Sequence, residues 1–493
     1  MTEHLPVLIV VTPLLAAPVS LLLRRGDPVR VWSLLVTWAT FGGTVALLSQ
    51  VLDRGTVSYA LGGWAPPLGI EYRVGLANGF VLVAVSFVGA VVLTFDTRAG
   101  SSRPTRERRY LYYAAYLLCL AGLLGMAVTG DVFNIFVFLE ISSLSSYALI
   151  SMGEQRRALT AAYSYLIMGT IGATFVLLGI GMLYAMTGTL NLADLAVRLP
   201  PVAGSRTTVV AFGFLAVGLS IKMAVFPLHQ WLPNAYGFAP PKVSAFLAGT
   251  ATKVSYWVLV RILFTVFGAG FVFGTLHLER FLIPLSLLGM FVGSLAAIYQ
   301  DDLRRLLAYS SIAQVGYMTL GISLNNPEGL TGGLVHLFNH GITKSGLFLA
   351  VACLAYRLGS FRIDGLAGAG RRAPLAAFAF VVGGLSLIGV PGTAGFVSKW
   401  YLVLGALERG WWWLAVMILL SSLLAVAYVW RFVEVAYFRE PGQLALGQPR
   451  FEPPAMLVPT WCLIGAAVVF GFWTDLTVGI VRPAVELLLR GTL

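Results

Sequence analysis

Apolar runs of helix length follow one another along the whole chain, each bounded by charged residues or by glycine and proline. A helix that crosses a bilayer needs about 20 predominantly apolar residues. The pattern therefore predicts an all-α polytopic membrane protein with about 14 transmembrane helices. The runs cover residues 5–23, 29–51, 74–95, 108–128, 131–152, 158–187, 207–226, 241–263, 280–299, 304–323, 329–355, 374–404, 411–437 and 455–474.

Helix breakers accompany two of the runs. Pro227 and Pro233 follow the seventh run, and the segment GVPGTAGF lies inside the twelfth. Because proline cannot donate a backbone hydrogen bond, we predict broken helices at the seventh and twelfth spans. The carbonyls that such a break frees in a membrane must be satisfied by water or by polar side chains.

The polar stretches between the runs are loop-sized, and one of them, LGGWAPPLGIEYRV, predicts a small hairpin. Two groups of five helices each carry a lysine beside the break in their fourth helix, which indicates an internal duplication. An odd number of helices per copy makes the two copies inverted. The predicted segments are an N-terminal three-helix segment at 1–107, a first five-helix repeat at 108–263, a second five-helix repeat at 280–437 and a C-terminal helix at 438–493.

Composition excludes a soluble domain, because 58% of the 493 residues are hydrophobic and 11% are charged, against about 45–50% and about 25% in soluble proteins. The formal net charge is +12. In a soluble protein this excess would suggest nucleic acid as a partner, but basic cytoplasmic loops are the simpler source here. We therefore expect contact with the lipid bilayer and none with nucleic acid.

The basic residues between the runs are unevenly distributed. If the N-terminus lies outside, 19 of them fall on the inner side and 9 on the outer side. Since basic loops face the cytoplasm, we predict both termini on the outer face of a bacterial or archaeal cytoplasmic membrane.

Lysine is rare, and its placement is unusual. Of five lysines, Lys222, Lys253, Lys344 and Lys399 lie inside apolar runs, whereas arginine supplies the loops. A lysine ammonium loses its proton far more readily than a guanidinium when it is desolvated, and each intramembrane charge costs about 2.5–3.5 kcal/mol on insertion scales. The pattern favours titratable amines that carry protons. The alternative is that GC-rich coding has inflated arginine and that the lysines form structural pairs.

Glu140, in GDVFNIFVFLEISSLSSYALI, is the only carboxylate in the middle of a predicted span. A lone buried carboxylate is protonated or has a cation as its neighbour, and Lys222 is the candidate partner. A purely structural ion pair is the alternative, although a pair that opens and closes is also a switch. At the start of the same span, Asp131 and Asn134 are predicted to cap the helix.

The eleventh run, GGLVHLFNHGITKSGLF, places His336, His340 and Lys344 four residues apart. This spacing puts them on one helical face, and histidine, with an unperturbed pKa of about 6.5, suits a proton relay. Structural hydrogen bonding is the alternative. A metal site is not predicted, because no third ligand recurs nearby. The candidate proton-transfer residues are Glu140, Lys222, Lys253, His336, His340, Lys344 and Lys399.

Five motifs identify a resemblance: GDVFNIFVFLE, KMAVFPLHQWLPNAY, YQDDLRRLLAYSSIAQVGYM, HLFNHGITKSGLFL and GVPGTAGFVSKW. Over nearly its whole length the chain resembles the antiporter-like subunits of the complex I superfamily, most strongly the D-type subunits of Mrp cation/proton antiporters and the matching subunit of membrane-bound hydrogenases. The resemblance implies fourteen helices with two inverted repeats, each forming a half-channel. It also implies a Glu–Lys pair at Glu140 and Lys222, a central lysine at Lys253 and a terminal lysine at Lys399.

The resemblance further implies a proton-translocating subunit of a multisubunit Na⁺/H⁺ antiporter or of a hydrogenase-linked pump, with a subunit of NADH-quinone oxidoreductase as the alternative. The expected partners are a homologous antiporter-like subunit, small hydrophobic membrane subunits, protons and, for an antiporter, Na⁺. No cofactor and no catalytic chemistry of its own are expected. A redox enzyme holding quinone or metal and a self-sufficient solute carrier are the competing hypotheses.

Overall fold

The computed structural model describes residues 2–24, 26–96, 109–441 and 451–491. Part of the loop charge on which the predicted orientation depends lies outside the described residues, namely Arg25, Arg98, Arg103, Arg106, Arg108 and Arg450.

The described chain is almost entirely helical, with a single two-stranded hairpin. The α-helices are α1 Leu5–Leu23, α2 Gly26–Arg54, α3 Leu76–Thr94, α4 Arg109–Val128, α5 Val132–Ser151, α6 Arg157–Thr187, α7 Leu192–Arg198, α8 Arg206–Met223, α9 Leu232–Phe238, α10 Pro241–Arg261, α11 Glu279–Ile298, α12 Leu303–Leu324, α13 Pro327–Leu358, α14 Ala369–Arg372, α15 Pro374–Ile388, α16 Ala394–Glu408, α17 Trp412–Val433, α18 Pro454–Phe472 and α19 Asp475–Leu489. The strands are β1 Val57–Ala60 and β2 Glu71–Val74. Short 3₁₀ segments lie at Thr2–His4, Leu61–Gly63, Pro200–Val202 and Ile363–Leu366, and π-helical segments at Ile262–Val266, Gly270–Thr275 and Glu434–Phe438.

Twelve of the described helices are long and apolar enough to cross a membrane. The predicted all-α polytopic membrane fold is therefore confirmed. Two further crossings would come from α12, which has 22 residues, and from the α15–α16 pair, in which α15 is apolar but short. The count of about 14 spans and the inverted repeats stay predictions.

Both predicted helix breaks are present. Helix α8 ends at Met223, where Ala224 adopts a left-handed conformation, and α9 begins at Leu232. Helix α15 ends before Gly389, which has a φ of 88°, and α16 begins at Ala394. Glycine tolerates this positive φ without steric cost. Gly389, the first residue of GVPGTAGF, therefore ends α15 where a bulkier residue would be strained.

Helix α13 lies at the centre of the bundle, because it packs against α10, α12, α15, α16 and α18. The apolar stretch of α13 that could cross the membrane is completely buried, and that of α10 is 94% buried, whereas α1 and α2 lie at the periphery. Titratable residues on α10 and α13 are thus shielded from lipid by the surrounding helices.

The predicted hairpin is confirmed, since β1 and β2 pair antiparallel with Val57 opposite Val74. The C-terminal segment differs from its prediction as one helix, because the described part contains both α18 and α19. In α19 the buried residues Val478, Val481, Val485 and Leu488 recur every three or four positions, so this helix is amphipathic. It was not predicted, since only one of its faces is apolar.

Candidate functional site

Glu140 and Lys222 form the predicted pair. The Lys222 Nζ lies 3.9 Å from the Glu140 Oε1, and the Lys222 side chain is 3% exposed against 29% for Glu140. Lys222 also donates to the Ser143 Oγ at 2.7 Å and to the Tyr147 hydroxyl at 3.5 Å. These α5 residues lie three and seven positions after Glu140, so one face of α5 supplies all three contacts. The predicted cap at the start of α5 is also present, as the Asn134 backbone N–H donates to Asp131 at 2.7 Å.

An aromatic side chain donates a hydrogen bond at the break after Lys222. The Trp231 Nε1 donates to the Ile221 carbonyl at 3.0 Å, and the Trp231 ring stacks on Tyr165 at 3.9 Å between centroids. Trp231 thus satisfies a carbonyl near the end of α8, and the Lys222 ammonium donates its hydrogen bonds to hydroxyls on α5.

Gly169 on α6 gives this pair its space. A Cβ at Gly169 would clash with the Tyr147 hydroxyl and lie 3.4 Å from the Lys222 Nζ. Sequence reasoning did not identify Gly169, Ser143 or Tyr147, because their role depends on how α5, α6 and α8 meet.

Lys253 lies at the centre of α10 and is 1% exposed. Its Nζ donates to the Ala248 carbonyl and, at 3.1 Å, to the Thr252 Oγ1. The hydroxyls of Thr250 and Ser255 instead donate to carbonyls one turn earlier in the same helix. Of these three hydroxyls, only that of Thr252 bonds to Lys253.

The three α13 residues have partners on two different helices. The rings of His336 and His340 stack with centroids 5.6 Å apart and an angle of 8° between their planes. The His336 Nδ1 also pairs with the Ser398 Oγ of α16 at 2.7 Å. Lys344 instead donates to the Leu307 carbonyl at 2.8 Å and to the Ser310 Oγ, both on α12.

These different partners follow from the rotation of successive residues about the helix axis. Four residues advance an α-helix by about 40° more than one full turn, so two such steps rotate Lys344 by about 80° away from His336. Both ring nitrogens of His340 and the His336 Nε2 are buried and have no hydrogen-bond partner among the described residues.

Lys399 lies just after the second break and reaches back across it. Its Nζ donates to the Leu387 carbonyl at 2.8 Å and to the Ile388 carbonyl at 3.0 Å. It donates also to the Ser422 Oγ at 3.0 Å, and it lies 4.5 Å from the centre of the Tyr317 ring.

Tyr317 connects the terminal lysine to the histidines, since its ring centre lies 5.8 Å from that of His336. Tyr317 falls within the quoted motif YQDDLRRLLAYSSIAQVGYM, but nothing in the sequence distinguishes it from Tyr309, the other tyrosine of α12. Its position between Lys399 and His336 depends on the packing of α12, α13 and α16.

The helices that carry the candidate residues are neighbours in the order of the chain. Helix α8 packs on α10, α10 on α13, and α13 on α16. The candidate residues thus lie along one series of packed helices, and together they are called the polar row. At its first end Glu140 is partly exposed, and the other members are buried.

Amines, imidazoles and hydroxyls can each accept and donate a proton. No group of three or more histidine, cysteine or acidic residues that could hold a metal ion occurs in the described part of the chain. A polytopic helical protein with ionisable side chains in its interior, two of them beside helix breaks, has the features of a membrane ion-translocating protein.

Comparison with known proteins identifies the family. Residues 129–425 match the family described as "NADH:quinone oxidoreductase/Mrp antiporter, TM", and the chain belongs to it. The chain is 44% identical over 490 residues to the N subunit of NADH-quinone oxidoreductase from Desulforudis audaxviator, covering 96% of this chain and 97% of that protein. The resemblance to the complex I superfamily is thereby confirmed.

Antiporter proteins are also among the similar sequences. The chain is 30% identical over 432 residues to the D-type subunit of the Na⁺/H⁺ antiporter from Alkalihalophilus pseudofirmus, covering 87% of this chain and 85% of that protein. Its fold superposes on a chain of the Mrp complex from Dietzia with a TM-score of 0.90 at 26% identity, covering 100% of this chain and 98% of that one.

Proposed function

We propose that this chain is the proton-translocating membrane subunit of a multisubunit Na⁺/H⁺ antiporter, equivalent to the D-type subunit of Mrp antiporters, or of a related hydrogenase-linked pump. The observation that carries the proposal is the buried Lys222, which lies beside a helix break and 3.9 Å from the carboxylate of Glu140. A homologous antiporter-like subunit and small hydrophobic membrane subunits complete the complex, as the named assemblies of its relatives suggest.

In this proposal protons pass along the row of buried side chains. Lys222 gains a proton when its amine is paired with the Glu140 carboxylate and gives it up when the pair opens. Lys253 then relays the proton towards α13. His336, His340 and Lys344 form the middle of the row, and Lys399 forms its end. The short helix-to-helix steps support this order, because each carrier helix packs on the next.

The magnitude of the first interaction suits a switch. Two unit charges 3.9 Å apart attract by about 4 kcal/mol at an effective dielectric constant of about 20. Moving one charge through 100 mV costs about 2.3 kcal/mol. Opening or closing the Glu140–Lys222 pair therefore changes the free energy of a nearby proton by an amount comparable to the work of its transit.

The orientation and the repeats form part of the proposal. Both termini lie on the outer face of a bacterial or archaeal cytoplasmic membrane, which the distribution of basic residues favours. Residues 108–263 and 280–437 are two inverted five-helix repeats, preceded by residues 1–107 and followed by residues 438–493. The occurrence of one broken helix with its own buried lysine in each repeat supports this division.

A second candidate is a proton-pumping membrane subunit of NADH-quinone oxidoreductase. It is favoured by the 44% identity to a protein of that complex, which exceeds the 30% identity to an antiporter protein. The row of ionisable side chains serves either function, because in both of them protons cross the membrane through this chain.

Everted membrane vesicles that contain the whole complex distinguish the two functions. The antiporter predicts that added Na⁺ dissipates a pre-formed pH gradient, whereas the alternative predicts that NADH oxidation builds one. Vesicles from cells that lack this chain are the control. Proton movement in neither assay, from a complex shown to be assembled, would contradict both the Na⁺/H⁺ antiporter and the NADH-quinone oxidoreductase subunit.

A further inference from the structure

A second polar site lies outside the polar row. A cavity of about 370 Å³ opens where the β1–β2 hairpin meets α7 and the end of α10. Its charged lining residues are Glu71, Arg73 and Arg261. Thr56 and Val197 lie at its edge and are exposed, so the cavity reaches the surface.

Arg261, the last residue of α10, is 4% exposed and lines this cavity. Its Nε and Nη1 are buried and donate to no described residue. Its guanidinium carbon lies 6.0 Å from the centre of the Trp257 ring. The Thr265 hydroxyl, one turn further along and also in the lining, is likewise buried without a partner among the described residues. Buried donors without acceptors are unfavourable, so this wall is suited to a ligand that accepts hydrogen bonds.

The charges of the lining favour an anion. The Glu71 carboxylate accepts from the Ser58 Oγ at 2.6 Å and from the Asn191 Nδ2 at 3.1 Å. Two neutral donors therefore hold this carboxylate in place. With Arg73 and Arg261 against a single carboxylate, the lining has an excess of one positive charge.

We propose that this cavity binds a phosphate-type oxyanion, with the Arg261 guanidinium and the Thr265 hydroxyl as donors and Arg73 as a second positive charge. A guanidinium presents parallel N–H groups that match two oxygens of a phosphate. Inorganic phosphate and the headgroup of a phospholipid share this chemistry. The bound anion links the hairpin to the end of α10, on which Lys253 also lies.

Two measurements on the intact complex distinguish the sources of the phosphate. Native mass spectrometry of the gently solubilised complex measures retained phospholipid, and equilibrium dialysis of the delipidated complex measures binding of radiolabelled inorganic phosphate. Each is applied to the wild type, to Arg261→Gln, and to Arg206→Gln, which changes an exposed arginine at the start of α8 and serves as the control.

A lipid adduct that is kept by the wild type and Arg206→Gln but lost in Arg261→Gln identifies a headgroup site. Inorganic phosphate binding that is at least about tenfold weaker in Arg261→Gln alone identifies a site for the free anion, since hydrogen bonds to charged groups have this magnitude. If Arg261→Gln does not assemble, Ala196→Phe decides in the same way, because it fills the cavity and leaves both arginines. A wild type that holds neither ligand, or an assembled variant that binds as the wild type does, would overturn the proposal.

Discussion

The two helix breaks each place a buried lysine in the membrane, but they neutralise its charge differently. Lys222 faces the carboxylate of Glu140 at 3.9 Å. Lys399 has no acidic partner within 4.0 Å among the described residues, and it donates instead to the carbonyls of Leu387 and Ile388 at 2.8 and 3.0 Å. The first lysine is balanced by a group that can itself titrate, and the second by the dipoles of a helix end.

Under the proposed function this difference gives the two breaks different tasks. A carboxylate can be protonated or move away, so the stabilisation of Lys222 can be switched on and off. The dipoles of backbone carbonyls and the quadrupole of an aromatic ring do not change with protonation near neutral pH, so the stabilisation of Lys399 is constant there. On this account the first break regulates the row of protonatable groups and the second holds its end.

The largest expected effect comes from removing the ammonium at the second break. Lys399→Met should reduce proton translocation to background and also lower the thermal stability of the purified complex, because two carbonyls lose their donor at about 1–3 kcal/mol each. Lys222→Met should stop translocation with a smaller loss of stability, since the carboxylate that it leaves behind, Glu140, is 29% exposed and can be solvated or protonated. Equal melting temperatures for the two variants would remove the distinction between the breaks.

The next effect tests whether the charge of Glu140 regulates Lys222. Glu140→Gln keeps the size of the side chain and removes its charge, so translocation should fall at least about tenfold, the change that 1.4 kcal/mol produces. Glu154→Gln, an exposed position beyond the end of α5, is the control. Transport rates in vesicles measure both, and an unchanged rate in Glu140→Gln would show that the pair is only structural.

A smaller effect is expected from crowding the first break without changing any charge. Gly169→Ala places a methyl group against the Tyr147 hydroxyl and near Lys222, so translocation should fall several-fold as the two side chains shift. Gly181→Ala lies on the same helix with nothing within 4 Å of its added carbon, and it should transport normally. The idea fails if both alanine variants transport equally well.

The smallest effect concerns the ring that faces Lys399. Tyr317→Phe keeps the ring and loses only hydroxyl contacts of 3.4 and 3.2 Å to the Ile418 carbonyl and the Ser422 Oγ. We expect a rate within about twofold of the wild type, because the cation–π contact persists. Tyr317→Leu removes the ring and should lower the rate further. The opposite ranking would show that the hydroxyl, rather than the ring, supports Lys399.

The sequence predicts the spans and the breaks because bilayer length and the properties of proline and glycine are local. It also predicts the Glu140–Lys222 pair, since few ionisable residues lie in the apolar runs. It does not reveal Ser398 beside His336 or Tyr317 beside Lys399, because those contacts join helices distant in the chain. Helix α19 was missed for a different reason, namely that an amphipathic helix lacks a continuous apolar run.

The central claim is that the first break uses a lysine because its amine can lose a proton. Lys222→Arg keeps a positive charge opposite Glu140, and Lys242→Arg makes the same change at the lysine in the first turn of α10, outside the row. The decisive measurement is the rate of proton translocation by both assembled complexes in vesicles. Since a guanidinium stays protonated, the account predicts loss of translocation in Lys222→Arg and normal translocation in Lys242→Arg. A wild-type rate in Lys222→Arg would contradict it.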